Sequence, residues 1–160
     1  MHIEDKLRAR GLALPAAPAI PPELKLSFAW TRRRGNRVYV SGHVALRPDG
    51  TPAGPFGKVP TEVSLEAAQE AARGATLAIL ASLQRAVGDL DRVTAWLMVT
   101  GLVNAEPGYP LTTNVINGFS DLILELYGPE VGQHARLAVG LAALPLNAAV
   151  TIAAEVEIAE

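Results

Sequence analysis

The sequence predicts an α+β fold, a single β-sheet with two helices on one of its faces. Three observations carry this. Residues 64–88 and 113–127 repeat apolar side chains at helical spacing. Five other segments are rich in β-branched and apolar residues, bounded by Gly, Pro or Asn. Their order reads β-β-(β)-α-β-α-β-β, which supplies too few helices to cover both sheet faces.

Taken in order, residues 3–10 form a short amphipathic helix with Ile3 and Leu7 on one side, ended by Gly11. "LALPAAPAIPPELK" (12–25) is an extended lead-in, because each of its four prolines lacks a donor and biases its predecessor away from helix. "LSFAWTRRRGNRVYVSGHVAL" reads as a β-hairpin, with Leu26, Phe28 and Trp30 alternating before the "RGN" turn and Val38 and Val40 after it. Gly42 marks a bulge or a close backbone approach, and Val44 and Leu46 extend the pattern. The Pro- and Gly-rich residues 48–60 are a surface loop.

In the first long helix Ser64 is the N-cap and Gly88 the C′ residue, with Leu65, Ala68, Ala72, Ala75, Ile79 and Leu83 on one face. "RVTAWLMVTGLVNA" is a central strand covered on both faces. The second helix carries Val115, Phe119, Leu122, Ile123 and Leu126 and stops at Gly128-Pro129. "ARLAVGLAAL" and "AAVTIAAEVEIA" are the last two strands, joined by "PLN".

At 160 residues the chain is one domain, 1–160, whose first 25 residues are the N-terminal extension and lead-in. Charged residues make up 19%, against about 25% in an average soluble domain. That leaves little polar material to coat a monomer, and the uncovered sheet face points the same way, to self-association. The net charge of −2 disfavours a nucleic-acid partner. Arg32, Arg33, Arg34 and Arg37 read as a solvated turn protecting a sheet edge. No apolar run spans a membrane and no secretory signal opens the chain, so a cytoplasmic protein is expected. With no Cys, and with His2, His43 and His134 far from ligand spacing, no metal site is expected.

Four features stand out as candidate chemistry. Arg136 heads the apolar run "LAVGLAAL"; it either pairs with Glu155 or Glu157, snorkels from a strand end, or clamps a carboxylate with its planar fork of donors. Asn117-Gly118 interrupts a helix, either for tight packing or to point a polar group into a cleft. His43 is a structural residue or a base, and His134 shares the Arg136 pocket or is solvated. P-loop, H-E-x-x-H and G-x-S-x-G motifs are absent from the sequence.

"GNRVYVSGHV", "GDLDRVTAWLMVTGLVNA", "NGFSDLILELYG" and above all "HARLAVGLAALPLNAAVTIAAEV" resemble the YjgF/RidA family, in its branch labelled endoribonuclease or chorismate-mutase-like. The resemblance runs from about Leu12 to the C-terminus. It implies a chorismate-mutase-like fold, a homotrimer with ligand clefts between subunits, and no metal or organic cofactor. In active members those clefts hydrolyse enamines and imines to 2-oxo acids and ammonia; other implied roles are a non-enzymatic ligand-binding or regulatory trimer and an endoribonuclease. By this likeness Arg136 grips a substrate carboxylate, Gly42 brings backbone close to the ligand, and Asn117 faces the cleft. Three positions depart from the pattern: Phe28 stands where a tyrosine is usual, Ala138 where a cysteine is, and Thr151 where a catalytic glutamate is expected. Thr151 is no general base at neutral pH; the candidate catalytic side chains are Thr151, helping to hold the attacking water, and His43, which stands where the family commonly has glutamine, as a substitute proton carrier.

Overall fold

The structure is a computed structural model and describes residues 2–160. Its five-stranded sheet has the order β1-β2-β5-β3-β4. The strands are β1 (Thr31–Arg34), β2 (Arg37–His43), β3 (Val93–Asn104), β4 (Ala135–Leu141) and β5 (Val150–Ile158). All neighbours pair antiparallel except β3 and β4, which are parallel and joined by a helical crossover. The helices are α1 (Ile3–Ala9), α2 (Leu65–Val87) and α3 (Thr112–Gly132).

Side-chain alternation decides which sheet face is covered. Along β5, Val150, Ile152, Ala154, Val156 and Ile158 are buried, while Thr151, Ala153, Glu155 and Glu157 between them are not. The buried row lies under α2 and α3, which pack on β2, β5, β3 and β4. Among the described residues the other face carries no helix, and there Met98 and Leu137 are 39% and 50% exposed, so within one chain β3 is covered on one face and not on both as its sequence suggested.

Both long helices obey their sequence signals. Ser64 Oγ accepts from the Ala67 amide at 3.1 Å, and Gly88 ends α2 at φ 85°. In α3 the five predicted apolar residues are all buried, and Gly128 breaks helical geometry at φ 73° ahead of Pro129. Ile3 and Leu7 of α1 are buried against the same layer. The basic turn is a solvated sheet edge: β1 is largely exposed, and Arg37 pairs with Glu155 at 3.0 Å.

Two strand expectations are corrected. Leu26–Trp30 makes no strand; its link to β2 is the Ser41 amide and hydroxyl donating to the carbonyls of Trp30 and Ala29. The third strand at 44–46 shrinks to one isolated bridge, Leu46 to Pro52. The cause is the Gly42 bulge, which shifts register between Val40 and His43 and ends the ladder there.

A seam of small residues lets the helices approach. A Cβ on Gly118 would lie 2.2 Å from the Gln69 carbonyl oxygen of α2, and one on Gly101 of β3 would lie 2.5 Å from Ile116. The Asn117-Gly118 pair therefore serves packing through its glycine.

The bulge also turns His43 inward, where it is 2% exposed. Its Nδ1–H donates to the Ser41 carbonyl at 2.6 Å, and Nε2 accepts from Ser82 Oγ at 2.7 Å. Arg85 in turn donates to Ser82 Oγ at 2.8 Å. Burial, and secondarily the Arg85 charge, holds the His43 pKa below its ordinary value, so the imidazole stays neutral.

Two measurements check this account. Gly118→Ala overpacks the α2–α3 crossing and should cost about 1–3 kcal/mol, lowering Tm by roughly 3–10 °C in a thermal melt. Because the folded His43 pKa is depressed, the unfolded chain takes up the extra proton. Stability is therefore full above about pH 6.5 and falls below it, by up to ~1.4 kcal/mol per pH unit. Urea midpoints at pH 7.5 and 5.5 should show this fall, and His43→Gln should make it shallower.

Candidate functional site

The candidate residues gather into two groups that one chain does not join. Phe28, Gly42, His43 and Thr151 line a cavity of about 250 Å³ beside the open end of β2 and β5. Arg136, Ala138 and Asn117 lie at the far edge of the sheet, where β4 runs under α3. Arg136 pairs with Val99, a buried residue on the helix-covered face. Thr151 pairs with Leu102 on the uncovered face. The two side chains thus point to opposite faces from strands two places apart, about 10 Å at ordinary strand spacing.

The geometry at Arg136 is specific. One guanidinium nitrogen donates to Asn117 Oδ1 and to Ser120 Oγ, both at 2.9 Å. The other donates to the Thr113 carbonyl at 3.2 Å. All three acceptors are neutral oxygens. Among the described residues Arg136 has no ion pair: Glu155 pairs with Arg37 and Glu157 accepts from Thr94. The pairing of Arg136 with either glutamate, one of the three roles the sequence allowed, is therefore ruled out. Partial burial lowers its pKa, with a small opposing push from Asp121. The result is an aimed, half-buried cation that no carboxylate contacts within ion-pair distance among the described residues.

His134 belongs to this group. Its Nδ1–H donates to the Gly132 carbonyl at 2.7 Å, and its Nε2 accepts from Ser120 Oγ at 2.8 Å. Burial foremost, then the Arg136 charge, depresses its pKa. Ser120 is thus fixed between an arginine that donates to it and a neutral imidazole that accepts from it.

Ser120 was missed by sequence reasoning, yet a signal existed. Thr113, Asn117 and Ser120 stand at i, i+4 and i+7 on α3, a polar line on one helix face. Ser82, the partner of His43, had no such signal, because their meeting depends on how α2 crosses β2.

In the cavity group Gly42 sits where a Cβ would lie 2.8 Å from Thr151 Cγ2. A side chain there would displace Thr151, which explains the glycine. The Thr151 hydroxyl oxygen is buried and has no hydrogen-bond partner, so it is free to take a polar atom of a ligand or a water. Both His43 nitrogens are engaged within the fold, and its ring leans on Trp30 with centroids 5.1 Å apart.

Folding also gathers His2, Asp89 and Asp91 within ligand distance of one another, although the sequence spacing gave no sign of it. All three are exposed, and His2 already pairs with Asp91, which raises its pKa.

Residues 49–158 match the family described as "YjgF/chorismate_mutase-like, putative endoribonuclease". Protein TCP17 of Trypanosoma cruzi is 39% identical over 157 residues, spanning 98% of this chain and 94% of that protein. The crystal structure of Atu1372 from Agrobacterium tumefaciens, a protein of unknown function, is 36% identical with a TM-score of 0.85, covering 98% and 91% of the two chains. A Shewanella oneidensis protein with the same endoribonuclease description is 26% identical with a TM-score of 0.89, covering 99% and 100%. E. coli TdcF, crystallised with bound serine, shares the fold at 17% identity and a TM-score of 0.59, covering 90% and 94%. With its sheet order, its paired helices and these matches together, the chain belongs to the YjgF/chorismate-mutase-like family.

Proposed function

We propose that the protein binds a small 2-oxo or 2-imino acid in a cleft assembled between copies of the chain. The observation that carries this is Arg136: an oriented cation whose own contacts are all neutral. A carboxylate completes it, with charge-assisted bonds to the guanidinium edge the fold leaves open. The Arg136 half-site of one copy then faces the Gly42–Thr151 half-site of another. A homotrimer closes three such clefts and covers the apolar sheet face carrying Leu137 and Met98. That a fold relative, TdcF, has been crystallised with serine fits a small amino- or oxo-acid ligand.

The reaction that suits this site is hydrolysis of a 2-imino acid. Water adds to the imine carbon, the C–N bond breaks, and a 2-oxo acid and ammonia leave. Arg136 fixes the carboxylate, and the backbone at Gly42 and the free Thr151 hydroxyl hold the water or the polar end of the substrate. His43, neutral and doubly bonded, shapes the wall. Imine hydrolysis is easy enough that orientation supplies much of the acceleration, so the missing glutamate is compatible with turnover. Ribonuclease activity has less support, because the exposed Arg32–Arg34 run lies outside the lining of the cavity.

Generating a 2-imino acid in situ and following 2-oxo acid release should show acceleration by the wild type. Arg136→Ala should reduce kcat/KM about 10- to 100-fold, as loss of a charge-assisted bond pair does. Equal rates for wild type, Arg136→Ala and buffer would end the hydrolase reading, and 2-oxo acid binding by thermal shift would then favour a binding protein. Leu137→Glu puts a charge on the open sheet face. It should release monomers in sedimentation velocity and lose ligand binding with them.

A further inference from the structure

The cavity that Gly42 and Thr151 border extends well beyond them. Its remaining walls are mostly carbon: Trp30 and Phe28, Leu24 of the lead-in with Leu26 just after it, and Leu46 and Pro145. Phe28 meets Trp30 edge to face with centroids 5.2 Å apart, so the two rings form one continuous wall. Lys25 is the one charged residue of the lining.

This wall is fixed to the body of the protein. The Ala16 amide donates to the Pro48 carbonyl at 3.0 Å, and the Ala19 amide to the Gly50 carbonyl at 2.8 Å. Gly50, at φ 88°, lets the chain pass so close that a Cβ there would lie 2.0 Å from the Ala17 oxygen. The lead-in is therefore anchored just before Ile20 and Leu24 enter the cavity lining, followed by Leu26.

Volume and polarity select the occupant. A dry cavity of about 150 Å³ lined by Leu, Ile and Phe is enough to hold benzene, and this one is about 250 Å³. A pyruvate-sized acid would leave most of it unfilled. The single buried and unpartnered oxygen in the lining, Thr151 Oγ1, marks where a polar atom belongs; the carbon walls mark where none does.

We infer that this cavity receives the side chain of the bound acid, and that this side chain is large and apolar, branched aliphatic or aromatic. The inference rests on the carboxylate-binding reading above and adds the substrate class to it. The acid lies with its 2-oxo or 2-imino end at Thr151 and Gly42, and its hydrocarbon end runs between the Trp30–Phe28 wall and the lead-in.

Calorimetric titration of the purified protein with pyruvate, 2-oxobutanoate, 4-methyl-2-oxopentanoate and phenylpyruvate tests this. Each buried carbon should tighten Kd about fourfold, so 4-methyl-2-oxopentanoate should bind roughly 50-fold more tightly than pyruvate. Leu26→Asp and Phe28→Ser, at exposed wall positions that leave the core untouched, should each weaken the two large acids selectively and shrink that ratio below about fivefold. A flat series in which all four acids bind alike, with Arg136→Ala abolishing them, overturns the side-chain assignment and leaves the carboxylate clamp standing. A series in which no acid binds overturns the clamp and this inference with it.

Discussion

Everything chemical in this protein hangs on how closely α2 and α3 lie to each other and to the sheet. The distance is set by absent atoms. Gly118 gives up its side chain to the Gln69 carbonyl, and Gly101 gives up its own to Ile116. With the helices drawn in, the first half of α3 sits directly over the β4 edge and the last turns of α2 over the bulge of β2. Bulkier residues would lift both helices, and the polar contacts they make with the sheet would lengthen past bonding distance.

Those polar contacts repeat a pattern. In each, a backbone carbonyl accepts from the Nδ1 of the histidine two residues later. The Nε2 takes a helix serine hydroxyl, and an arginine donates to that serine. Ser41–His43–Ser82–Arg85 is one instance and Gly132–His134–Ser120–Arg136 the other. The carbonyl fixes which ring nitrogen is protonated, and burial foremost, with the nearby positive charge second, keeps the second proton off. A neutral imidazole then works as a rigid acceptor that orients a hydroxyl. In the first instance arginine and serine share α2; in the second the arginine comes from β4 and the serine from α3, so the bond ties helix to sheet.

The fold was largely legible in the sequence, because helical and strand periodicities report burial directly. Ser64, Gly88 and the Gly128-Pro129 stop marked helix ends through backbone chemistry that tertiary context did not override. The Leu26–Trp30 alternation misled in one respect. The same-side placement it signalled is real, since all three side chains line the cavity, but a ladder also needs a partner strand, and the bulge removes it. The site was half legible. Arg136 stood out as a charge in an apolar run, and Asn117 as a poor helix former. The split of the candidates between two faces could not be read, because face depends on register and register on pairing. Ser82 and Arg85 became partners of His43 only through a crossing of distant elements.

The lead-in gives the molecule a division of labour. Apart from Ile3 and Leu7 of α1, the core, the helix seam and the arginine cradle are built from residues after Thr31, while much of the apolar wall comes from a strand-less ribbon before it, tied down at Ala16 and Ala19. Side chains on that ribbon share no ladder with the sheet. Replacing them alters what the cavity accepts at small cost to the fold that holds the cavity open. Under the side-chain assignment proposed above, ligand preference is decoupled from folding stability, and a library confined to residues 20–28 would be the natural place to retrain it.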